Sequence, residues 1–355
     1  MQMVKPSVGL KVIDQKSYGL HRTVTEIFIE DFKCMENKLK QFAPIVIFCY
    51  DRRKELEGMI KTLSLNKYAQ DSDLFVFCDG PKNDMAAVKT KEVRDYVKTI
   101  SGFRTVNVSE SNVNKGLAPS IISGVTKILE KYDSVIVVED DLILSTNFLA
   151  WMNEALWQYK DNKDVFSVSG FCPSVLKEDQ IYQYDAFFTR KAHSWGWATW
   201  KDRWQQVDWD ILDWETFSQS KKLQRAFNSI GSEMSGLLFA QMNGVKSSWW
   251  VRFCYSQFKL GKETVYPVRS KVINDGFTEE ATHCNVYNRY RVDFDTSNQY
   301  VFEFPKLIKH DITLEKRFFY YYSIRARIIG KIKTQLMKMG LIKQYTISYA
   351  MEDSK

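Results

Sequence analysis

The chain has 355 residues, 45 % of them hydrophobic, enough for one large or two moderate cores. Its net charge of +7 sits almost entirely in residues 301–355, where eleven Lys and Arg face five Asp and Glu. A basic tail on a near-neutral body argues against general nucleic-acid binding and for a local electrostatic contact.

Six cysteines with no CxxC pair argue against a disulfide frame or zinc site and point to a reducing, cytoplasmic compartment. No apolar run of about 18 residues predicts a spanning helix, and no apolar region behind Met1-Gln2-Met3-Val4-Lys5 marks a secretory signal. Residues 1–43 are polar, with a helical pattern from Val24 to Gln41, and read as an appended extension of unassigned role.

From Pro44 a regular alternation begins. Ile45–Cys49 is an apolar run without polar alternation, hence a strand buried on both faces, followed by Tyr50-Asp51-Arg52-Arg53 and a helix over Lys54–Leu65. Leu74–Cys78 is a second such strand, ended by Asp79-Gly80-Pro81. A charged helix over Ala86–Ile100 and a short strand over Arg104–Val108 follow. Asn114-Lys115-Gly116 opens a helix reaching about Tyr132. Strand and helix at this spacing predict βαβ units and a mainly parallel sheet.

The next strand, Ser134–Val138, ends in Glu139-Asp140-Asp141. Three adjacent carboxylates repel and raise one another's pKa. A hard divalent cation would relieve that repulsion, and Mg²⁺ or Mn²⁺ is commonly held by one or two carboxylates plus substrate phosphates. A solvated turn capping the next helix is the plainer alternative. In a parallel sheet the turns at Arg52, Asp79, Lys115-Gly116 and Asp140-Asp141 converge on one edge, where ligands bind in open α/β folds. There Arg52, Arg53 and Lys115 would bring positive charge, Asp79 would accept hydrogen bonds from a base or ribose, and Gly116 would admit a ligand close to the backbone. Each of these residues also reads as an ordinary turn or surface position.

Thr146–Tyr159 predicts an amphipathic helix and Val165–Gly170 a strand; the pattern then becomes irregular. Trp195-Gly196-Trp197 would either form a wall for a sugar ring or pack in the core, while Trp200 and Trp204 are helically spaced and read as core. A helical, polar stretch over 205–245, a helix from Ser248 to about Gly261 and a strand over Glu263–Val268 complete this half. His283 lies in a loop motif and is a candidate ligand of a metal or diphosphate. Between Lys316 and Lys343 eight Lys and Arg, with no acid, interleave with Phe, Tyr, Ile, Leu and Met. That pattern suits either an interfacial segment on an anionic membrane or a basic helix packed on the body.

Val137-Val138-Glu139-Asp140-Asp141-Leu142, with the Tyr50-Asp51-Arg52 and Cys78-Asp79-Gly80 turns before it, resembles the GT-A glycosyltransferases, in particular the N-acetylglucosaminyltransferase I branch and related bacterial sugar transferases. Ser194–Trp200 and the Gly276…Thr282-His283 segment resemble the bacterial members. The resemblance spans about residues 44–285.

The resemblance implies an α/β GT-A fold, a nucleotide-sugar donor of the UDP type, and Mn²⁺ or Mg²⁺. By position, Arg52 and Asp79 would contact the nucleoside, Lys115 and Gly116 would close over it, Asp140 would face the ribose or sugar, and Asp141 would bind the metal. Residues 44–170 would then be the donor half and 171–300 the half facing a glycan or lipid-linked acceptor; 301–355, outside the resemblance, is the basic tail, read from its own pattern as a membrane contact on the inner face or a helix packed on the body. An inverting member needs a carboxylate base. The position where relatives carry it falls on Ser247, which cannot serve, leaving Glu233 or Asp275 as candidates.

Overall fold

The structure is a computed structural model that describes residues 41–177, 180–274 and 286–344. Asp275 and His283, the two loop candidates, lie outside the described residues.

The first strand, β1 (Ile45–Cys49), is buried along its whole length because helices cover both faces of the sheet. Ile45, Ile47 and Cys49 join one core, and Val46 and Phe48 join the other. This two-sided burial is why the run shows no polar alternation. Helix α1 (Arg53–Ser64) lays Leu56, Met59, Ile60 and Leu63 on the first core, at the spacing of one helical face. Strand β2 (Asp73–Cys78), helix α2 (Asp84–Val97), strand β3 (Thr105–Glu110) and helix α3 (Leu117–Leu129) follow. Helix α3 covers the opposite face with Ala118, Ile121, Val125 and Ile128. Strand β4 (Ser134–Glu139) repeats the division, with Ile136 and Val138 on one side and Val135 and Val137 on the other.

The remaining strands are β5 (Leu142–Leu144), β6 (Val165–Ser169), β7 (Ala186–Thr189), β8 (Trp197–Trp200), β9 (Glu263–Pro267) and β10 (Val272–Asn274). Eight strands form one sheet in the order β3-β2-β1-β4-β8-β6-β9-β7, and β5 pairs with β10 in a two-stranded sheet. Strand β1 runs parallel to both β2 and β4, while β8 is antiparallel to β4 and β6. The fold is therefore α/β with a mostly parallel sheet and flanking helices, as the sequence predicts. Chain order reverses between β2-β1 and β4, the topological switch point at which α/β sheets open a crevice.

Differences from the sequence reading concentrate after Asp141. Helix α4 (Phe148–Gln158) starts two residues late because Leu142–Leu144 is spent on β5. Trp200 belongs to a strand rather than a helix, and only a single turn, α5 (Lys201–Trp204), follows it; both Trp200 and Trp204 are core, as expected. Residues 205–245 break into α6 (Trp214–Gln219), α7 (Lys221–Phe227) and α8 (Met234–Met242), after which α9 (Trp249–Lys259) leads into β9. The basic tail is two helices, α10 (Ile312–Tyr320) and α11 (Ile324–Lys338). Among the described residues no helix is long and apolar enough to cross a membrane.

Candidate functional site

The parallel register fixes the site. Cys49 lies beside Cys78, and Phe48 beside Glu139, so the carboxyl ends of β1, β2 and β4 stop at one level. The turns leaving them surround a cleft of about 490 Å³ lined by Arg52, Asp79, Asn114, Gly116, Glu139, Asp140, Asp141 and Trp195, among others. Arg52, Asp79, Gly116, Asp140 and Asp141 are thus brought together as the sequence expects. Lys115 is exposed next to them and lines the adjoining hollow of about 430 Å³ between β2, β3 and α3. Arg53 instead belongs to α1, where it lies 3.9 Å from Glu57 and near the ring of Tyr96.

Asp79 is the keystone of the loop before α3. Its Oδ1 accepts from the backbone N–H of Gly80 and of Lys115, and its Oδ2 from that of Gly116, each at 2.9 Å. The Asn114 amide closes the same turn by donating to the Gly80 carbonyl at 2.8 Å. The resemblance assigns Asp79 to the nucleoside. In the structure its carboxylate is engaged by the protein's own backbone and holds the loop and the amino end of α3 beside the cleft. Gly116 caps α3 with φ of 80°, a left-handed conformation that glycine adopts without strain.

Gly80 is constrained differently. A Cβ placed there would lie 2.4 Å from the Val113 carbonyl carbon. Gly80→Ala is therefore expected to push the 111–116 segment outward and cost about 1–3 kcal/mol. Urea unfolding followed by circular dichroism measures this; an unchanged midpoint would refute the close packing.

The acidic run divides. Asp140 is 6 % exposed and accepts from Arg52 Nη2, while Arg52 Nη1 donates to Asp141 Oδ2 at 3.0 Å. One guanidinium thus bridges both aspartates in the planar, two-pronged manner peculiar to arginine. Burial pushes Asp140 up to about 7, against the attraction of Arg52, and Asp141 adds to the rise. Glu139 is also raised, by burial first and by Asp141 and Asp140 next, and it receives a hydrogen bond from Ser194 that works the other way. Asn274, at the end of β10, brings its Nδ2 within 3.5 Å of Asp141 Oδ1. Neither Ser194 nor Asn274 is legible as a site residue from sequence; both arrive through pairings, β4 with β8 and β5 with β10.

The acids bear on how a hard divalent cation would be held. Among the described residues no group of three or more His, Cys, Asp or Glu converges to hold a metal. Asp141, 13 % exposed at the side chain and facing the cleft, suits the mode in which one or two carboxylates are completed by ligand phosphates and water.

Trp195 and Trp197 separate. Trp197 is 2 % exposed and stacked on Trp249 and Trp204, at centroid distances of 4.6 and 5.8 Å. It is a core residue reaching the cleft floor, not a free wall. Trp195 is half-buried at the cleft, edge-on to Phe171 and Tyr290, and is the ring placed to flank a ligand.

Glu233 does not line the cleft. It precedes α8 and pairs at 3.2 Å with the ammonium of Lys191, which is fully buried. That ammonium also lies over the rings of Trp250 and Tyr322, 4.8 and 4.5 Å from their centroids. Ser247 is exposed, immediately before the Ser248 cap of α9.

No protein-family model matches the chain, and no curated protein does. Among solved structures, 49 % of the chain overlays 52 % of the mannosyltransferase PcManGT from Pyrobaculum calidifontis, in complex with GDP-Man and Mn²⁺, at 14 % identity and a TM-score of 0.32. Similarly, 40 % of the chain overlays 23 % of S. aureus TarS, at 14 % identity and a TM-score of 0.26. The chain spans about half of the first protein and about a quarter of the second. Likenesses this shallow bear on neither activity nor substrate.

Proposed function

We propose that the chain is a metal-dependent glycosyltransferase that moves a hexosyl or N-acetylhexosaminyl group from a UDP-sugar, such as UDP-GlcNAc, to a hydroxyl of a surface glycan or glycolipid precursor, with inversion. The observation that carries this reading is the single cleft at the switch point where Arg52, the Asp79-held loop and Asp140-Asp141 meet.

Each group then has a task. The loop of Lys115 and Gly116, fixed by Asp79, frames the nucleoside, and Lys115 supplies positive charge near the phosphates. Asp140, buried and tied to Arg52, orients the guanidinium toward the ribose side. Asp141 is the metal ligand, and Mn²⁺ or Mg²⁺ bound there supplies Lewis-acid stabilisation of the departing diphosphate. Trp195 flanks the transferred sugar. The base that takes the acceptor proton is Asp275 or Glu233, the two candidates from sequence, and of these Glu233 pairs with Lys191.

A thermal-shift panel of UDP, GDP, CMP and dTDP sugars, with and without Mn²⁺, tests the reading, because a ligand that binds only the folded state raises apparent stability. The expected result is a metal-dependent rise with one UDP-sugar. A flat panel across all donors would overturn it.

Two features favour a second reading, a donor-binding protein without turnover. Arg52 already bridges Asp140 and Asp141, and the position expected for the base is Ser247. Metal-dependent donor binding with no hydrolysis or transfer over a broad acceptor panel would select it.

A further inference from the structure

Helix α11 is packed the wrong way round for a helix that serves only the core. Its buried residues are Ala326, Gly330 and Thr334, all small and one turn apart. This face sits on the 286–290 segment, where Thr334 Oγ1 accepts from the Tyr287 N–H at 3.0 Å and the place of a Gly330 Cβ meets Arg289 Cδ at 3.6 Å. The large apolar residues face out: Ile324 is 64 % exposed, Ile328 53 % and Ile332 54 %, again one turn apart. Such a stripe on a surface helix is unfavourable in water unless something covers it.

The charges around it say what. Arg325, Lys331 and Lys338 are exposed on the same helix, and no acid occurs between Lys316 and Lys343. Beside the stripe is a depression of about 630 Å³ lined by Arg289, Arg327 and Lys331, with Ile332 at its margin. Among the described residues none of these three cations is paired with a carboxylate. Arg289 donates to the Tyr321 carbonyl and the Tyr290 hydroxyl, and Arg327 to the Ser232 hydroxyl. Cations without a carboxylate partner among the described residues, bordering exposed isoleucines, complement a surface that is anionic at its rim and apolar beneath.

We propose that the outward face of α11, with the adjoining recess, docks the chain onto an anionic lipid bilayer, the isoleucines entering the headgroup–acyl boundary and Arg289, Arg327 and Lys331 meeting headgroup phosphates. This stands independently of the catalytic reading, since it uses no residue of the cleft. If both hold, it places the acceptor half where lipid-linked hydroxyls are presented.

The test is flotation of the full chain, without nucleotide or metal, with vesicles of phosphatidylcholine alone or mixed with phosphatidylglycerol. The expected result is binding to the mixed vesicles that weakens as salt rises. Ile324→Ser/Ile328→Ser/Ile332→Ser and Lys331→Glu/Lys338→Glu should each weaken it about tenfold or more. All five positions are exposed, and matching thermal unfolding of each variant and the parent confirms the fold. Equal binding to neutral vesicles, or undiminished binding by the serine variant, would overturn the proposal. So would concentration-dependent self-association by sedimentation velocity, lost in the serine variant, without vesicle binding; that result would make the stripe a contact between copies.

Discussion

Asp141→Ala is expected to abolish the rise in stability produced by a UDP-sugar with Mn²⁺ and to lower transfer by about 10²- to 10³-fold, equivalent to roughly 3–4 kcal/mol of barrier. The same substitution should leave the unliganded protein within about 1 kcal/mol of the parent. The reason is the balance of charge at the sheet edge. Asp141 raises the pKa of both Glu139 and Asp140, so its removal relieves a repulsion, while Arg52 loses one partner and keeps Asp140. A residue kept for stability would show the opposite signature, a weaker fold with donor binding intact. Thermal unfolding with and without donor and metal, beside a transfer assay, separates the two. Donor and Mn²⁺ stabilisation that survives in Asp141→Ala would remove Asp141 from the metal site and with it the main support for metal-assisted transfer. Asp141→Asn should fall between, since it keeps the shape and loses the charge.

The part of this site that the sequence announces is the part made by uninterrupted strands. Ile45–Cys49 and Val135–Val138 are buried on both faces, and Leu74–Cys78 is buried on one and partly buried on the other, so each prints an unbroken apolar run, and charged residues follow directly or within two positions. Parallel pairing then obliges the turns to meet. Beyond Asp141 the chain relies on short strands whose identity is set by partners far along the sequence. Leu142–Leu144 and Val272–Asn274 are three residues each and define one another. Trp197–Trp200 carries tryptophans at a spacing that also suits a helix, and only its pairing between β4 and β6 makes it a strand. The role of Asp79 is hidden for a related reason. Its partners are backbone N–H groups, and a backbone amide leaves no mark on the residue type at Lys115.

Glu233→Ala is expected to lower the unfolding free energy by about 3–5 kcal/mol, because it strands the ammonium of Lys191 in the interior. Lys191 has no solvent exposure, and the neighbours left to it are Met234 Sδ at 3.0 Å and the faces of Trp250 and Tyr322. Rings and a thioether do not replace a carboxylate as counter-ion for a buried cation. Lys191→Met should cost less than Glu233→Ala, since the Glu233 side chain is 15 % exposed whereas that of Lys191 has no exposure. Lys191→Met/Glu233→Leu should recover most of the loss, since no unpaired charge then remains buried. Urea unfolding of the two single variants and the double gives the coupling energy directly. The same series decides the role of Glu233. A base acting on an acceptor hydroxyl would let Glu233→Ala fold normally and lose turnover, and the double variant would stay as inactive as the single. A buried counter-ion would let the double variant regain both stability and turnover. Lys191 is 42 residues from Glu233 and lies in no shared motif, so this distinction follows from the packing of β7 and α8 alone.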